Sequence, residues 1–212
     1  MKRGLIHVYI GQGKGKTTAA VGLGLRAVGQ NILVYMVQFM KGGRYTGELL
    51  AAERLLAGRF TIRQFGRGCI REDKQLRMAE IDKDRFLQLE PSYIRDDEPC
   101  GTCRYCFVND AKQRQLCEDA YSHAKKVLAS GDYGMVILDE LIYAVTYGML
   151  PLEKALDLID AKPEHVELVI TGGTWKGEVP KEILDRADLI TEMQKVKHYY
   201  EQGVLARRGV EY

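Results

Sequence analysis

The feature that most constrains the fold is a glycine-rich loop between an apolar run and a helical pattern. The run Leu5-Ile-His-Val-Tyr-Ile10 predicts a strand, because β-branched and aromatic residues favour strands. From Lys16 onward, apolar residues recur at helical spacing until Gly29. A strand, a glycine-rich turn and a helix in this order form the geometry that binds polyphosphate. The sequence therefore predicts a phosphate-binding loop.

The loop itself supplies the candidate nucleotide-binding residues. Lys16 is the predicted phosphate-bridging lysine, and the Thr17 hydroxyl is a predicted Mg²⁺ ligand. Only three residues separate Gly11 from Gly15, one fewer than usual, and Lys14 adds a second lysine. The alternative is a glycine-rich turn that binds nothing. The candidate residues are Gly11, Gln12, Gly13, Lys14, Gly15, Lys16, Thr17 and Thr18.

Two adjacent carboxylates supply the second half of a nucleotide site. The apolar run from Met135 ends at Asp139, and Glu140 follows directly. A carboxylate at the end of a buried strand is where a phosphate-binding protein holds Mg²⁺ (or Mn²⁺). We expect Asp139 or Glu140 to coordinate the ion directly, with Lys16 and Glu140 as candidate catalytic residues.

The remaining apolar runs predict an α/β fold, a P-loop (RecA-like) and mostly parallel sheet with helices on both faces. Its 212 residues suit one domain, spanning 1–212. Further strands are expected at Ile32–Gln38, Phe60–Phe65, Met135–Asp139, Val166–Thr171 and Leu189–Glu192. Helices are expected at about Glu48–Leu56, Arg114–Ala129, after Pro151, and at Pro180–Ala187.

Composition excludes several classes of function. A net charge of +2 is too small to indicate nucleic-acid binding. We find no apolar stretch of the roughly 20 residues that a membrane span needs. The N-terminal apolar run is too short for a signal peptide. We therefore expect a cytoplasmic protein without nucleic-acid or membrane partners.

A charged, cysteine-rich segment at about 71–117 interrupts the α/β rhythm and predicts an inserted metal-binding element. Two Cys-x-x-Cys spacings that share a central cysteine resemble iron–sulfur ligation, such as a 4Fe–4S cluster. Zn²⁺ and unligated thiols are the alternatives. The four candidate ligands are Cys100, Cys103, Cys106 and Cys117.

Several motifs together resemble one family, the ATP:corrinoid adenosyltransferases, which complete coenzyme B12. They cover about three quarters of the chain, in the family's order. The matching stretches are Gly11–Ala20, Val37–Gly42, Ile137–Tyr143, Leu150–Glu153, Val169–Gly172, Ala187–Glu192, Val196–Tyr199 and Gly203–Val204.

The resemblance implies that cobalt(I) of a corrinoid attacks the 5′ carbon of ATP and that triphosphate leaves. Lys14, Lys16 and Mg²⁺ would neutralise the charge on the leaving triphosphate. Because cobalt(I) is itself the nucleophile, no protein base is needed. The resemblance also implies nucleotide contact by Arg26 and a homodimer. Lys197-His198 matches the family's tail motif, which gives His198 either a direct site role or a structural hydrogen bond. A cysteine-bound cluster could pass an electron to the corrin, and an electron donor such as a flavoprotein is an expected partner.

Two further departures from the family pattern concern the site. Gly173 stands where the family has an arginine that touches triphosphate, and Lys176 could supply that charge. The stretch 66–71 lacks the Phe-x-Trp element that shapes the family's corrin pocket. Trp175 could pack against a ligand or simply within its own loop.

Two other functions compete with adenosyl transfer. One is a nucleoside kinase of the thymidine-kinase type, which joins a P-loop to a cysteine-rich zinc lobe. The other is a non-catalytic relative that binds ATP and a metal cluster as a sensor or redox module. The products formed from ATP and a reduced corrinoid would separate all three.

Overall fold

A computed structural model describes residues 3–43, 46–68 and 105–212. In this part of the chain, six parallel strands form one sheet in the order β3-β2-β4-β5-β1-β6. The strands are β1 Ile6–Ile10, β2 Val34–Phe39, β3 Phe60–Phe65, β4 Met135–Asp139, β5 Glu167–Thr171 and β6 Leu189–Glu192. The predicted α/β class with a parallel sheet is confirmed.

Six α-helices connect or flank these strands in the described residues. They are α1 Lys16–Gly29, α2 Gly47–Leu55, α3 Ala111–Ser130, α4 Leu141–Thr146, α5 Leu152–Asp160 and α6 Lys181–Leu184. Short 3₁₀ helices lie at Tyr105–Phe107 and Tyr199–Gln202. None of these helices is long and apolar enough to cross a membrane.

The sheet has a hydrophobic core on each face, because the side chains of successive strand residues point to opposite faces. In β2, Val34 and Met36 pack with the cluster that includes Ala20 of α1 and Ala52 of α2. Tyr35 and its neighbours on the opposite face pack with residues of α3 to α6. Every residue of β2 is buried, which explains why five of its six residues are apolar, Gln38 being the exception.

Local signals set the ends of α3, the longest helix in the described residues. The Asp110 carboxylate accepts a hydrogen bond from the Gln113 N–H at 2.9 Å and so caps the first turn. Gly131 ends the helix in a left-handed conformation, with φ 68°. The helix starts three residues before the predicted Arg114, so Cys117 lies on a helix that packs against the sheet.

The sheet order brings three strand ends together. β4 lies between β2 and β5, and Gln38 is the register partner of Asp139. The carboxyl ends of parallel strands meet at one edge, where α/β proteins bind ligands. Asp139, Thr171 and the residues just after β2 therefore lie side by side at the edge where the phosphate loop leaves β1.

Candidate functional site

The phosphate loop joins β1 to α1 through backbone conformations that favour glycine. Gly11 has φ 131° and Gly15 has φ 119°. A Cβ atom at Gly11 would lie 2.3 Å from the Met193 carbonyl oxygen. Both glycines are therefore required by this loop path, which sets the first turn of α1 beneath the loop.

Lys16 is buried and turns its ammonium group back into the loop. Its Nζ donates to the Gly11 carbonyl at 2.8 Å and to the Gly13 carbonyl at 2.9 Å. Burial lowers the pKa of Lys16, an effect that the nearby Glu140 and Asp139 carboxylates oppose. The lysine is thus held at the loop by contacts that a phosphate oxygen could replace.

Asp139 is the hub of a buried polar network. Its Oδ1 accepts from Thr17 Oγ1 at 2.9 Å and from Thr171 Oγ1 at 2.7 Å. Its Oδ2 accepts from Lys41 Nζ at 2.8 Å and from Gln38 Nε2 at 3.1 Å. Although burial alone would raise it, the pKa of Asp139 is lowered by Lys41 and the hydroxyl donors. The carboxylate is therefore ionised and satisfied by four donors.

Lys41, two residues after the end of β2, is a site residue for which no local sequence pattern predicted a role. Its Nζ also donates to Thr17 Oγ1 at 3.2 Å and lies 4.0 Å from Glu48 Oε1. Burial opposes its charge, but Asp139, Glu140 and Glu48 raise the pKa of Lys41 above its ordinary value. Lys41 is thus a fixed positive charge beside the phosphate loop.

Glu140 adopts a left-handed backbone conformation, with φ 62°, which is uncommon for a residue with a side chain. Its N–H donates to Thr171 Oγ1 at 2.9 Å. Burial and the Asp139 charge raise the pKa of Glu140 to about 7. In the described part of the chain we find no hydrogen bond to its carboxylate, so this group is available to a ligand.

A pocket of about 550 Å³, whose wall carries several charged side chains, opens over the loop. Its wall includes Glu48 and Ala51 of α2, together with His198 and the run Gly209–Tyr212. The His198 ring also accepts a hydrogen bond from the Tyr200 N–H at 3.1 Å. His198 thus lines the pocket and caps the 3₁₀ helix that follows. This phosphate pocket is also lined by residues of the phosphate loop and α1, by Lys41 after β2 and by Glu140 after β4. The loop and α1 residues are Gly13, Lys14, Gly15, Lys16, Thr17 and Thr18.

A second pocket, about 660 Å³ in volume and mainly apolar, adjoins the first. Glu140 and Lys41 line both pockets, so they form the shared wall. Tyr143 and Tyr147 of the adjoining pocket stack, with ring centroids 5.4 Å apart. The other lining residues of this aromatic pocket are Phe39, Met40, Phe107, Asn109, Met149 and Trp175.

Comparison with known proteins identifies a family. The family described as ATP:corrinoid adenosyltransferase BtuR/CobO/CobP matches residues 2–96 and 95–212. The chain belongs to this family. It is 34% identical to "Corrinoid adenosyltransferase CobA" of Salmonella typhimurium and 32% identical to "Corrinoid adenosyltransferase" of Escherichia coli K12. Each comparison extends over 211 residues and covers 100% of this chain and 87% of the relative. A Pseudomonas aeruginosa protein of the latter name is 32% identical over 213 residues, or 100% and 85% of the two chains.

The departure from the family's arginine at position 173 has a geometric counterpart. A Cβ atom on Gly173 would lie 2.7 Å from the Gly11 carbonyl oxygen and 3.0 Å from the Tyr143 hydroxyl. Tyr143 in turn donates to the Gly11 oxygen at 3.2 Å, and Thr146 donates to the Gly173 oxygen at 2.9 Å. Residue 173 is therefore packed against the phosphate loop in this member of the family, leaving no room for a larger side chain.

Three side chains predicted to contact the nucleotide do not line the phosphate pocket, and Gly11 lies beside it. Arg26 is exposed in the last turn of α1, about 15 Å along the helix from Lys16 at 1.5 Å per residue. Lys176 is exposed in the loop after β5, and Gln12 lines a neighbouring cleft with Gly173. The contacts predicted for these three side chains therefore remain predictions.

The predicted four-cysteine site lies partly outside the described residues, which exclude Cys100 and Cys103. Cys106 is half-buried in the 3₁₀ helix beside Phe107. Cys117 is fully buried, and that burial raises the pKa of its thiol to about 11. No cluster of three or more potential metal ligands occurs within the described ranges. Core packing accounts for Cys117 by itself, and the metal site stays a prediction.

Proposed function

We propose that this protein transfers the 5′-deoxyadenosyl group of ATP to cobalt(I) of a corrinoid and releases triphosphate. One observation supports this most directly: the phosphate pocket, which carries several lysines, and the aromatic pocket share a wall formed by Glu140 and Lys41. A nucleotide on one side and a large apolar acceptor on the other would meet at that wall. Family membership supports the same chemistry.

The charges of the phosphate pocket suit a leaving triphosphate. Lys14, Lys16 and Lys41 lie around the loop, and the glycines expose backbone N–H groups at the start of α1. Negative charge grows on triphosphate as the bond to the 5′ carbon breaks, and fixed positive groups stabilise that charge. Cobalt(I) is itself the nucleophile, so the reaction requires no protein base. These residues therefore act by binding and orienting the reactants.

Thr17 and Glu140 would hold Mg²⁺ (or Mn²⁺) with the nucleotide. Thr17 Oγ1 accepts from Lys41 and retains one further lone pair, and Glu140 lines the pocket. Asp139 already accepts four hydrogen bonds, so we assign it the positioning of Thr17 and Lys41. When bound, the ion would neutralise part of the triphosphate charge. Because the oxygens of Asp139 are already occupied by hydrogen bonds, Glu140 is favoured over Asp139 as the direct ligand of the ion.

The aromatic pocket is the proposed site of the corrin ring. Phe107, Tyr147 and Trp175 line it, and Met149 adds a flexible apolar contact. These residues lie on three separate segments, none of them the stretch 66–71 in which the family's aromatic element is missing. The acceptor surface would thus be retained through different residues.

Turnover with ATP, Mg²⁺ and a chemically reduced corrinoid tests the proposal. We expect a light-sensitive cobalt–carbon product and one equivalent of inorganic triphosphate. Lys16→Met should reduce kcat/KM at least about a hundredfold, since a phosphate-stabilising charge is lost. Lys181→Met, an exposed lysine on α6, is the matched control. ADP with a phosphorylated nucleoside would instead indicate a kinase, and absence of either product a binding protein.

The cysteine-rich segment supports a second, separable proposal, a 4Fe–4S or Zn²⁺ site at Cys100, Cys103, Cys106 and Cys117. Metal analysis and visible absorbance of anaerobically purified protein test it, with Cys106→Ser as the variant. Iron with broad visible absorbance supports the cluster, and zinc supports a structural site. Protein without either metal would contradict both.

Family resemblance also supports a homodimer in the cytoplasm, with a flavoprotein as electron donor to the cobalt. Light scattering would test the dimer. Replacing the chemical reductant with a reduced flavoprotein would test the donor, with product formation as the expected result.

A further inference from the structure

Lys14, the extra lysine of the shortened loop, is held by a segment from the other end of the chain. Its Nζ donates to Glu211 Oε1 at 2.5 Å, to the Val210 carbonyl at 2.9 Å and to the Tyr199 hydroxyl at 3.0 Å. A lysine ammonium has three N–H donors. All three are therefore engaged before a nucleotide enters.

Glu211 is the charged partner in this arrangement and is fixed from several sides. Its carboxylate accepts from the Tyr199 hydroxyl and from the Arg207 N–H at 2.6 Å. Its side chain is 17% exposed. Although burial opposes ionisation, the hydrogen bonds from Lys14, Tyr199 and Arg207 lower the pKa of Glu211 to about 2. Glu211 is thus a permanent negative charge at neutral pH.

The position of Glu211 sets it against a phosphate ligand. Glu211 and Lys14 both line the phosphate pocket, with Gly209, Val210 and Tyr212 completing that wall. A triphosphate that takes a hydrogen bond from Lys14 must displace at least one of the present acceptors. It must also approach a fixed carboxylate of like charge, which weakens its binding.

We propose that Glu211 competes with the triphosphate group for Lys14 and thereby limits how tightly the site holds triphosphate. This inference rests on the proposed function, because it takes the pocket as the triphosphate site. Glu211 is a positioning residue: when triphosphate leaves, Glu211 binds Lys14 again and the three contacts of the lysine are restored. The contact would thus favour release of the product.

Calorimetric titration with Mg²⁺ and inorganic triphosphate tests the competition. We expect Glu211→Gln to bind triphosphate about tenfold more tightly, since a charged acceptor of Lys14 is lost. Glu211→Asp retains the charge and should stay close to the unaltered protein. Glu201→Gln is the matched control, because it removes a different Lys ion pair outside the pocket. Its affinity for triphosphate should not change.

The double variant identifies Lys14 as the object of the competition. In a Lys14→Met background, we expect Glu211→Gln to change triphosphate affinity by less than about threefold, because the contested partner is absent. An equal gain in both backgrounds, or weaker binding by Glu211→Gln with an unchanged melting temperature, would overturn the inference. If the unaltered protein binds no triphosphate, the proposed function fails with it.

Discussion

Glu140 concentrates the chemistry of the site in one residue. It has a left-handed backbone, lines both pockets and follows the Asp139 hub directly. Residues in such conformations persist where the surrounding structure enforces them, often at functional sites. The Thr171 hydroxyl accepts the Glu140 N–H and donates to Asp139, so one buried hydroxyl fixes both the Glu140 backbone and the Asp139 carboxylate.

The raised pKa of Glu140 predicts a pH-dependent cost in the metal-free protein. The folded chain keeps this carboxyl protonated up to about 7, whereas the unfolded chain ionises it near its ordinary 4.5. Stability therefore falls as pH rises between these values. Glu140→Gln should unfold at the same temperature as the unaltered protein at pH 5. At pH 8 it should be more stable by about 3 kcal/mol.

Thermal unfolding at pH 5 and pH 8, without Mg²⁺ or nucleotide, provides the measurement. Exposed Glu164→Gln is the control and should show no such pH-dependent difference. The same Glu140 variant should lose binding of Mg²⁺ with ATP. A Glu140→Gln protein that is less stable than the unaltered protein at pH 8 would contradict this account.

At the residue level, sequence patterns predicted the members of the site that lie in local motifs. The loop from Gly13 to Thr18 and the pair Asp139-Glu140 line or support the phosphate pocket as their spacing indicated. Lys41 and Thr171 lie in stretches that match the family, but no local sequence pattern predicts a role for either residue. Their function depends on which strands are neighbours, and strand order is a non-local property that spacing does not reveal.

At the element scale, the short helix α4 was not predicted, yet it joins the aromatic pocket to the phosphate loop. Its Tyr143 reaches the Gly11 carbonyl, and its Thr146 reaches Gly173. Six residues are too few for a periodic pattern to be recognised against the apolar strand that precedes them. The helix predicted at 180–187 is longer than α6, which ends at Leu184. The residues of the turn that follows are polar like those on a helix surface, so the sequence does not mark the end of the helix.

The contact between the phosphate loop and the loop after β5 predicts a strong effect of Gly173→Ala. The added Cβ would meet the Gly11 oxygen at 2.7 Å, so one of the loops must move. We expect a loss of about 1–3 kcal/mol in the free energy of unfolding and a raised KM for ATP. Urea unfolding and ATP kinetics measure these effects.

Gly22→Ala is the control for this substitution, because a Cβ on that face of α1 meets open space. Alanine also favours helix over glycine, so this variant should be unchanged or up to about 1 kcal/mol more stable. A Gly173→Ala protein with unaltered stability and KM would show that the loops separate more easily than the close approach indicates.

At the scale of the whole molecule, the sheet edge holds two pockets of different character on either side of Glu140 and Lys41. The phosphate pocket is built from the phosphate loop, α1, α2, His198 and the run Gly209–Tyr212. The aromatic pocket is built from α4 and from segments around Phe107 and Trp175. Because the two pockets share few lining residues, a substitution in one pocket should weaken the binding of one substrate and leave the binding of the other unchanged.

Trp175→Ala is the variant that tests this separation. Trp175 is 63% exposed, so its removal should leave the fold intact while taking an aromatic surface from the corrin side. We expect the KM for the corrinoid to rise about tenfold with an unchanged KM for ATP, because ATP contacts the other pocket. Lys16→Met should show the converse, a defect in ATP binding and turnover with corrinoid affinity retained. Equal effects of Trp175→Ala on both KM values would mean that the two pockets act as one site, and the division of roles at Glu140 and Lys41 would then be wrong.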